Sequence, residues 1–438
     1  MLEIMLDLRM VPITVVVGAL LSGGCDGGDR GEAQEFPQVH SDAPHDHDPQ
    51  LDADEAETLA DQNHALTFDL YHQLRDGEAA DRGFSISAYS IHGAFGMLYA
   101  GTVEPARGEM ASTLHFSLAG ERQHVAHNWL DAQLAARNLP AENFEWGDLA
   151  AVELHTANGV WVLDDYAELI AREYLDTLAQ HYGAGVFLGQ FDVRPEQERE
   201  AINAWVSKHT AALIPELFPM GSIKQATTLV LVNALYLKAP WAKPFNAQAT
   251  EPAPFHRLDG SMSEVEMMRQ EALRSDYGEG PGWQAVALPL RGDALELLII
   301  VPEDFADFEA NVDAEALANV RASMAPTVVS VGLPKFRLEA QLELTDELQA
   351  LGMVSPFVDD RSFDAILERL GVITTVVHQT VIEVDEKGVE AAAATGIVIT
   401  KTVALIPTAE IVVDRPFMLA IRDAPTDTLL FFGRVLEP

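Results

Sequence analysis

Residues 229–237 form a nearly continuous apolar run, LVLVNALYL, and this run constrains the fold more than any other feature of the chain. Its short length and β-branched side chains predict a strand that is buried on both faces. Other strand-like runs dominate the last third of the chain, whereas helical spacing of apolar residues occurs earlier, in residues 55–75, 91–100 and 201–217. Helices that precede strands predict a mixed α+β domain, and a body of this length needs a large sheet.

The composition excludes several classes of function. With 48% hydrophobic residues among 438, the chain can bury a large core. Its 68 acidic and 28 basic residues give a formal net charge of -40, which argues against binding to nucleic acid or to anionic lipid. The single cysteine permits no internal disulfide and no cysteine-based zinc site. Ser90 and His92 stand outside any nucleophile-exposing motif, so we expect neither an enzyme nor a bound cofactor.

The amino terminus has the features of a targeting segment. Residues 10–21 are apolar, too few to cross a bilayer but sufficient for the core of a secretory signal. The run ends in LSGGC at Cys25, the only cysteine, and this ending resembles the cleavage box of bacterial lipoproteins. We therefore expect residues 1–24 to be a signal peptide and Cys25 to carry lipid that anchors the protein at a bacterial cell envelope. Plain secretion is the alternative.

Residues 25–55 are rich in Asp, Glu, Gly, Pro and His, and nearly lack apolar side chains. Such a segment cannot bury enough surface to fold, so it predicts a disordered acidic tether before a globular body at 56–438. His40, His45 and His47 could bind a metal there, but solvated histidines in a linker are the simpler interpretation, and we predict no metal site.

Residues 386–402, EKGVEAAAATGIVITKT, are compatible with two conformations. The four alanines favour a helix and residues 397–400 favour a strand. With the two-residue period of a strand, one face is wholly small or apolar; it comprises Val389, Ala391, Ala393, Thr395, Ile397 and Ile399. Small side chains would let this segment slide between two other strands, although an ordinary buried strand or a helical turn would also suit the composition.

Several short motifs occur in a fixed order along the chain. They are NAWV at 203–206, LPKF at 333–336, LGM at 351–353, VDEKGVE at 384–390 before the alanines, VDRPFML at 413–419 and FFGRV at 431–435. In this order, from about residue 57 to residue 438, the chain resembles the serpins, a family of serine protease inhibitors. The resemblance implies helices and three β-sheets, with a large central sheet and an exposed reactive-centre loop at about 386–410.

The resemblance also implies a mechanism and its residues. A serine protease cleaves the loop, and the freed loop inserts into the main sheet and traps the covalent acyl-enzyme. The hinge of this loop would comprise Glu386, Gly388, Val389, Glu390, Ala391, Ala392, Ala393, Ala394 and Thr395. The scissile bond would be Thr402–Val403, which suits an elastase-like or subtilisin-like protease, or alternatively Lys401–Thr402, which suits a trypsin-like one. A monomer is expected, and a non-inhibitory serpin with a binding or chaperone-like role is the alternative.

The serpin resemblance further assigns a polar core where the sheet opens. Its members would be Ser87, Ser90, Asn233 and His378, with Trp241 beneath the entry point of the loop. Two residues depart from the family pattern nearby: Ala88 stands where proline is usual, and Gly83 where asparagine is usual.

Overall fold

The computed structural model describes residues 36–144, 147–389 and 406–438. The predicted signal peptide and Cys25 lie outside the described residues, as do Glu390 to Thr395 of the hinge and both candidate scissile bonds. Within the described residues, no helix has the length and apolar character needed to cross a membrane.

The predicted α+β class is confirmed. The described helices are α1 Ala53–Asp76, α2 Ala88–Tyr99, α3 Ala106–Thr113, α4 Arg122–Ala135, α5 Arg172–Tyr182, α6 Pro195–His209, α7 Phe305–Asn311, α8 Ala314–Ala322, α9 Thr345–Ala350 and α10 Ser355–Val358. The described strands up to the middle of the chain are β1 Gln38–Val39, β2 Phe84–Ile86, β3 Glu142–Phe144, β4 Gly147–Leu149, β5 Glu153–Leu163, β6 Val186–Gly189, β7 Leu229–Pro240, β8 Glu251–His256 and β9 Met262–Gly280. The later strands are β10 Trp283–Pro289, β11 Leu295–Pro302, β12 Ala325–Pro334, β13 Phe336–Glu343, β14 Val377–Val384, β15 Gly388–Val389, β16 Ala409–Val412, β17 Phe417–Asp423 and β18 Thr428–Val435.

The strands of the described residues form three sheets. The main sheet has seven strands in the order β1-β6-β5-β7-β15-β14-β13. A nine-stranded sheet has the order β16-β12-β9-β10-β11-β17-β18-β2, with β8 paired to β9, and β3 and β4 form a small hairpin. The run that was expected to be a doubly covered strand is β7, at the centre of the main sheet.

Both faces of β7 are covered, each by a different layer of the protein. Leu235 and Leu237 point into the core between the two large sheets. Val232 and Ala234 point to the opposite face, where α6 packs against them through Ile202 and Val206. The apolar run therefore reflects a strand between two hydrophobic layers.

The prediction of a helix over residues 201–217 placed α6 too late in the chain. The helix begins at Pro195, which fits the first helical turn because its missing N–H needs no partner there. It ends at His209, because Ala211 and Ala212 adopt positive φ angles that a helix cannot continue. The apolar residues that follow, such as Ile214, are buried side chains of a loop, and their spacing mimics that of a helix.

The structure corrects the predicted tether for residues 36–52, which we call the strap. Phe36 and Val39 are 7% and 4% exposed, and β1 pairs with β6 at the edge of the main sheet. The strap ends at Asp52, which forms a capping box with Glu55 at the start of α1. Composition measures what a segment can bury within itself, whereas the strap buries its few apolar side chains against the body.

Candidate functional site

The candidate site is the place where the main sheet is interrupted, between β7 and β14. The two-residue strand β15 lies there and pairs antiparallel with both neighbours: Val389 lies opposite Ala239 on one side and Val384 on the other. Among the described residues, no ladder pairing joins β7 directly to β14. The start of the predicted hinge is thus already a strand of the main sheet, at one end of a slot.

Trp241 fixes the turn that leads into β15. Its indole Nε1 donates to the carbonyl of Asp385 at 2.8 Å, and its backbone amide donates to the carbonyl of Lys387 at 2.9 Å. The carboxylate of Asp385 accepts hydrogen bonds from the amides of Lys387 and Gly388, at 2.7 and 3.2 Å. Trp241, predicted to lie beneath the entry point of the loop, thus contacts the turn before the described start of the hinge.

Glu386 is held by two side chains and by its backbone. Thr250 Oγ1 donates to its carboxylate at 2.8 Å, and Lys335 Nζ lies 3.2 Å from the other oxygen. The amide of Phe245 donates to the Glu386 carbonyl at 2.8 Å. Burial alone would raise the pKa of Glu386, but its hydrogen bonds and Lys335 outweigh burial and lower the pKa. The carboxylate is therefore a firm anchor for the base of the loop.

Gly388 enters the slot where no side chain fits. A Cβ atom added to it would lie 2.3 Å from the carbonyl oxygen of Ala239 and 2.6 Å from the Cα of Pro240. The residue also has a positive φ of 158°, which side chains disfavour. The close approach of two backbones requires glycine here.

A second group of predicted residues lies deeper along the same slot. His378, on β14, accepts a hydrogen bond at Nε2 from the amide of Ser87, at 3.1 Å. Ser87 Oγ in turn caps α2 by accepting from the amide of Ser90. Burial lowers the pKa of His378 to about 4, so the ring is neutral at physiological pH and can accept this bond.

On the other side of the slot, Asn233 of β7 is bound to the same helix end. Its side chain donates to the carbonyl of Ser90 at 2.6 Å and accepts from the Ser90 hydroxyl. It also donates to the side-chain oxygen of Asn158 on β5, at 2.5 Å. The strands that flank the slot are thus each bound to residues 87–90.

The structure brings four of the five predicted core residues together. One cluster, which we call the polar core, comprises Ser87, Ser90, Asn233 and His378, whereas Trp241 lies at the turn that leads into β15. Sequence reasoning missed Asn158, which completes the polar core from the neighbouring strand. Its one visible signal is a polar residue within the mostly apolar second half of β5.

The site contains no catalytic or metal constellation in the part of the chain that the structure describes. There, no group of three or more His, Cys, Asp or Glu side chains is arranged to hold a metal ion. The polar side chains of the polar core bond to backbone and to one another, and they lie on three strands, β5, β7 and β14, and at the start of α2. This arrangement can hold a sheet closed or release it.

Comparison with known proteins decides the family. A family model described as "Serpin (serine protease inhibitor)" matches residues 61–438. The chain belongs to the serpin family. This serpin is 32% identical over 393 residues to leukocyte elastase inhibitor of Bos taurus, covering 87% of this chain and all of that protein. It is 30% identical over 387 residues to an uncharacterized serpin-like protein of Methanosarcina mazei, covering 87% of each.

Solved structures of serpins share the fold. The native state of the thermophilic serpin tengpin matches this serpin with a TM-score of 0.75 and 22% identity, covering 90% of this chain and 97% of that one. The predicted serpin fold is therefore confirmed.

Proposed function

We propose that this serpin is a suicide inhibitor of serine proteases and acts by inserting its cleaved loop between β7 and β14. The observation that carries the proposal is β15, which already pairs with both of these strands. Cleavage of the loop would free the residues after Val389 to continue β15 down the slot. Insertion would displace the acylated protease before its ester bond is hydrolysed.

The register of β15 supports the face assignment made from the sequence. Val389 is buried, and its partners Ala239 and Val384 point into the core between the large sheets. Continuing that register by two residues places position 391 between Leu237 and Ile382, which are also core residues. The face that carries Val389, Ala391, Ala393 and Thr395 would therefore point inward after insertion.

Further along the slot, the same register leads to the polar core. Position 393 would lie opposite Leu235 and Thr380, and position 395 opposite Asn233 and His378. The hydroxyl of Thr395 would thus enter the part of the slot that Asn233 and His378 line. Small alanines precede it where the neighbours on β7 are leucines, which suits entry without collision.

Insertion is favourable on simple energetic grounds. Each new ladder hydrogen bond contributes roughly 0.5–1.5 kcal/mol net. Burial of Ile397 and Ile399 contributes about 1–3 kcal/mol each. Over about a dozen residues, the sum is comparable to the whole ~5–15 kcal/mol stability of an ordinary domain. This energy would drive the trapping step.

We place the scissile bond at Thr402–Val403, sixteen residues beyond Glu386, with Lys401–Thr402 as the alternative. A small residue before the bond suits an elastase-like or subtilisin-like pocket, and lysine suits a trypsin-like pocket with a buried carboxylate. A relative named for inhibiting an elastase supports the first choice. We further propose that Cys25 carries lipid at a bacterial envelope, which mass spectrometry of the mature amino terminus would test.

A protease panel tests the proposed function. Incubation with elastase, subtilisin and trypsin, followed by denaturing electrophoresis, should give a covalent complex with at least one of them. Sequencing of the released carboxy-terminal fragment would identify the scissile bond. If every protease that cleaves the loop leaves only cleaved serpin and active protease, the protein is a non-inhibitory serpin.

A further inference from the structure

The strap joins the edge of the main sheet to several parts of the body. Through β1 it adds a strand to β6, with Val39 opposite Val186 and a further bond from the amide of Leu188 to the carbonyl of Pro37 at 2.9 Å. Val39 is buried within the core that lies under the main sheet. At this end, the strap is part of the sheet.

Phe36 links the strap to α6 through an aromatic cluster. Its ring lies edge-on to Trp161 of β5, with centroids 5.7 Å apart, and to Phe187 of β6 at 6.2 Å. Trp161 and Phe187 stack at 4.3 Å, and both contact Trp205 of α6, at 5.1 and 5.6 Å. Edge-on aromatic contacts of this kind add specific attraction to the burial of the rings.

The other end of the strap is bound to α4 and α5. The amide of Asp46 donates to the carbonyl of Gln180 at 2.9 Å, and Asn128 donates to the carbonyl of Asp46 at 2.7 Å. Arg122 donates to the carbonyl of Gln50 at 3.0 Å, and the hydroxyl of Ser41 bonds to Asp176. The strap therefore spans from the sheet edge to helices that lie outside the sheet.

These contacts join helices beside the sheet to strands that loop insertion would move. β6, β5 and β7 are paired in series, so widening the slot beside β7 moves them together, away from β14. α6 lies over the same region, because Val377 and Val381 of β14 pack against the cluster that contains Ile202 and Val206. Because α4 also contacts α1 and α2, a strap that is bound to both β6 and α4 would resist a displacement of β6 relative to these helices.

We propose that the strap is a brake that slows opening of the main sheet and so delays insertion of the uncleaved loop. The inference rests on the insertion mechanism of the proposed function and adds to it a regulator within this chain. Removing or releasing the strap, for example by proteolysis before residue 52, would speed the loss of the inhibitory form.

Two substitutions in the full chain release the strap at independent points. Val39→Lys places a charge in a buried position, and Phe36→Ala removes the ring from the aromatic cluster. Asp42→Lys is the matched control, because Asp42 is an exposed strap residue. Hydrogen exchange of residues 37–48 reports release, and the double variant is used where either single variant keeps its protection.

The test compares how fast each intact variant converts, at one temperature below unfolding, to a heat-resistant form that no longer traps protease. We expect loss of exchange protection and conversion about tenfold faster or more for the two release variants, with Asp42→Lys like wild type. Wild-type protein nicked within residues 399–405 is the reference for insertion and should gain heat resistance.

The outcomes separate the two proposals. If nicked wild type gains heat resistance and the released variants still convert at the wild-type rate, the strap inference alone is overturned. If nicked wild type gains no heat resistance, the insertion mechanism fails and the brake fails with it.

Discussion

The amide of Ser87 donates to Nε2 of His378 at 3.1 Å, so the end of α2 and the strand β14 are joined through an imidazole that must be neutral. Protonation of Nε2 would set one donor against another and break this link. The same ring lies where Thr395 would arrive on insertion. His378 thus restrains the slot through a hydrogen bond that is lost when its ring gains a proton.

Acidification should destabilise the native form steeply. Burial lowers the pKa of His378 to about 4 and the pKa values of His92, His124 and His127 to about 3. The unfolded chain then binds more protons below about pH 6.5, so stability is full above that pH and is lost as pH falls. At pH 5, each of these four buried rings lowers the free energy of unfolding by roughly 2 kcal/mol.

Urea unfolding at pH 7.5 and pH 5 checks this dependence. The midpoint should fall strongly at pH 5, and His378→Gln should make the fall smaller by about the contribution of one ring. His256→Gln, at an exposed site on β8, is the matched control. Equal midpoints at the two pH values would contradict the prediction.

Loss of the Glu386 anchor should destabilise the hinge. Lys335→Met removes the partner at 3.2 Å and leaves a carboxylate that is only 14% exposed, so we expect a loss of about 1 kcal/mol from the unfolding free energy. Arg337→Met on β13 is the control, because its pairs with Glu339 and Glu383 are exposed and should contribute about 0–0.5 kcal/mol. Denaturant titration of both variants measures these losses of unfolding free energy. Equal losses would argue against a special role for the Glu386 anchor.

Proline at position 88 should stabilise the native form. Ala88 is the first residue of α2, directly after its cap Ser87, and proline suits that position because its fixed φ is helical and its missing N–H has no helical partner. We expect a gain of about 0.4–1 kcal/mol, which thermal unfolding would show as a higher midpoint. Ala94→Pro, in the middle of the same helix, should instead cost about 3 kcal/mol or more. A lower midpoint for Ala88→Pro would show that the family's usual residue does not fit here.

Under the proposed insertion mechanism, an arginine on the face of the loop that would point inward should convert an inhibitor into a substrate. At position 393, continued from the register of β15, the guanidinium would meet Leu235 and Thr380 in the core. Insertion would slow while deacylation kept its rate, so more serpin molecules would be consumed per protease inactivated.

The structure also selects the control for that substitution. After insertion in the register of β15, position 394 would point outward but lie opposite Ala234, which is 1% exposed beneath α6, so an arginine there would also meet packed side chains. Position 390 would lie opposite exposed Glu383 and half-buried Lys238, so Glu390→Arg is the better outward variant. Similar stoichiometries of inhibition for Ala393→Arg and Glu390→Arg would refute the face assignment.

Local sequence patterns predicted the elements whose burial is uniform. β7 and the fully buried α2 were found because nearly every residue in them is apolar or small. The long strand β9 was missed because seven of its nineteen residues are charged, and its pattern also shifts at a bulge opposite residues 329–331. The strap and Asn158 were missed for a different reason. Both depend on partners far away in sequence, which composition and periodicity do not contain.

The steric requirement for glycine at position 388 is independent of the residues that a protease would recognise in the loop. The entrance to the slot admits only a residue without a side chain, whatever protease is to be captured. The proposed scissile bond lies fourteen residues further along the sequence. Under the proposed function, residues 401–403 can therefore be changed to suit a new target protease while glycine stays fixed at position 388.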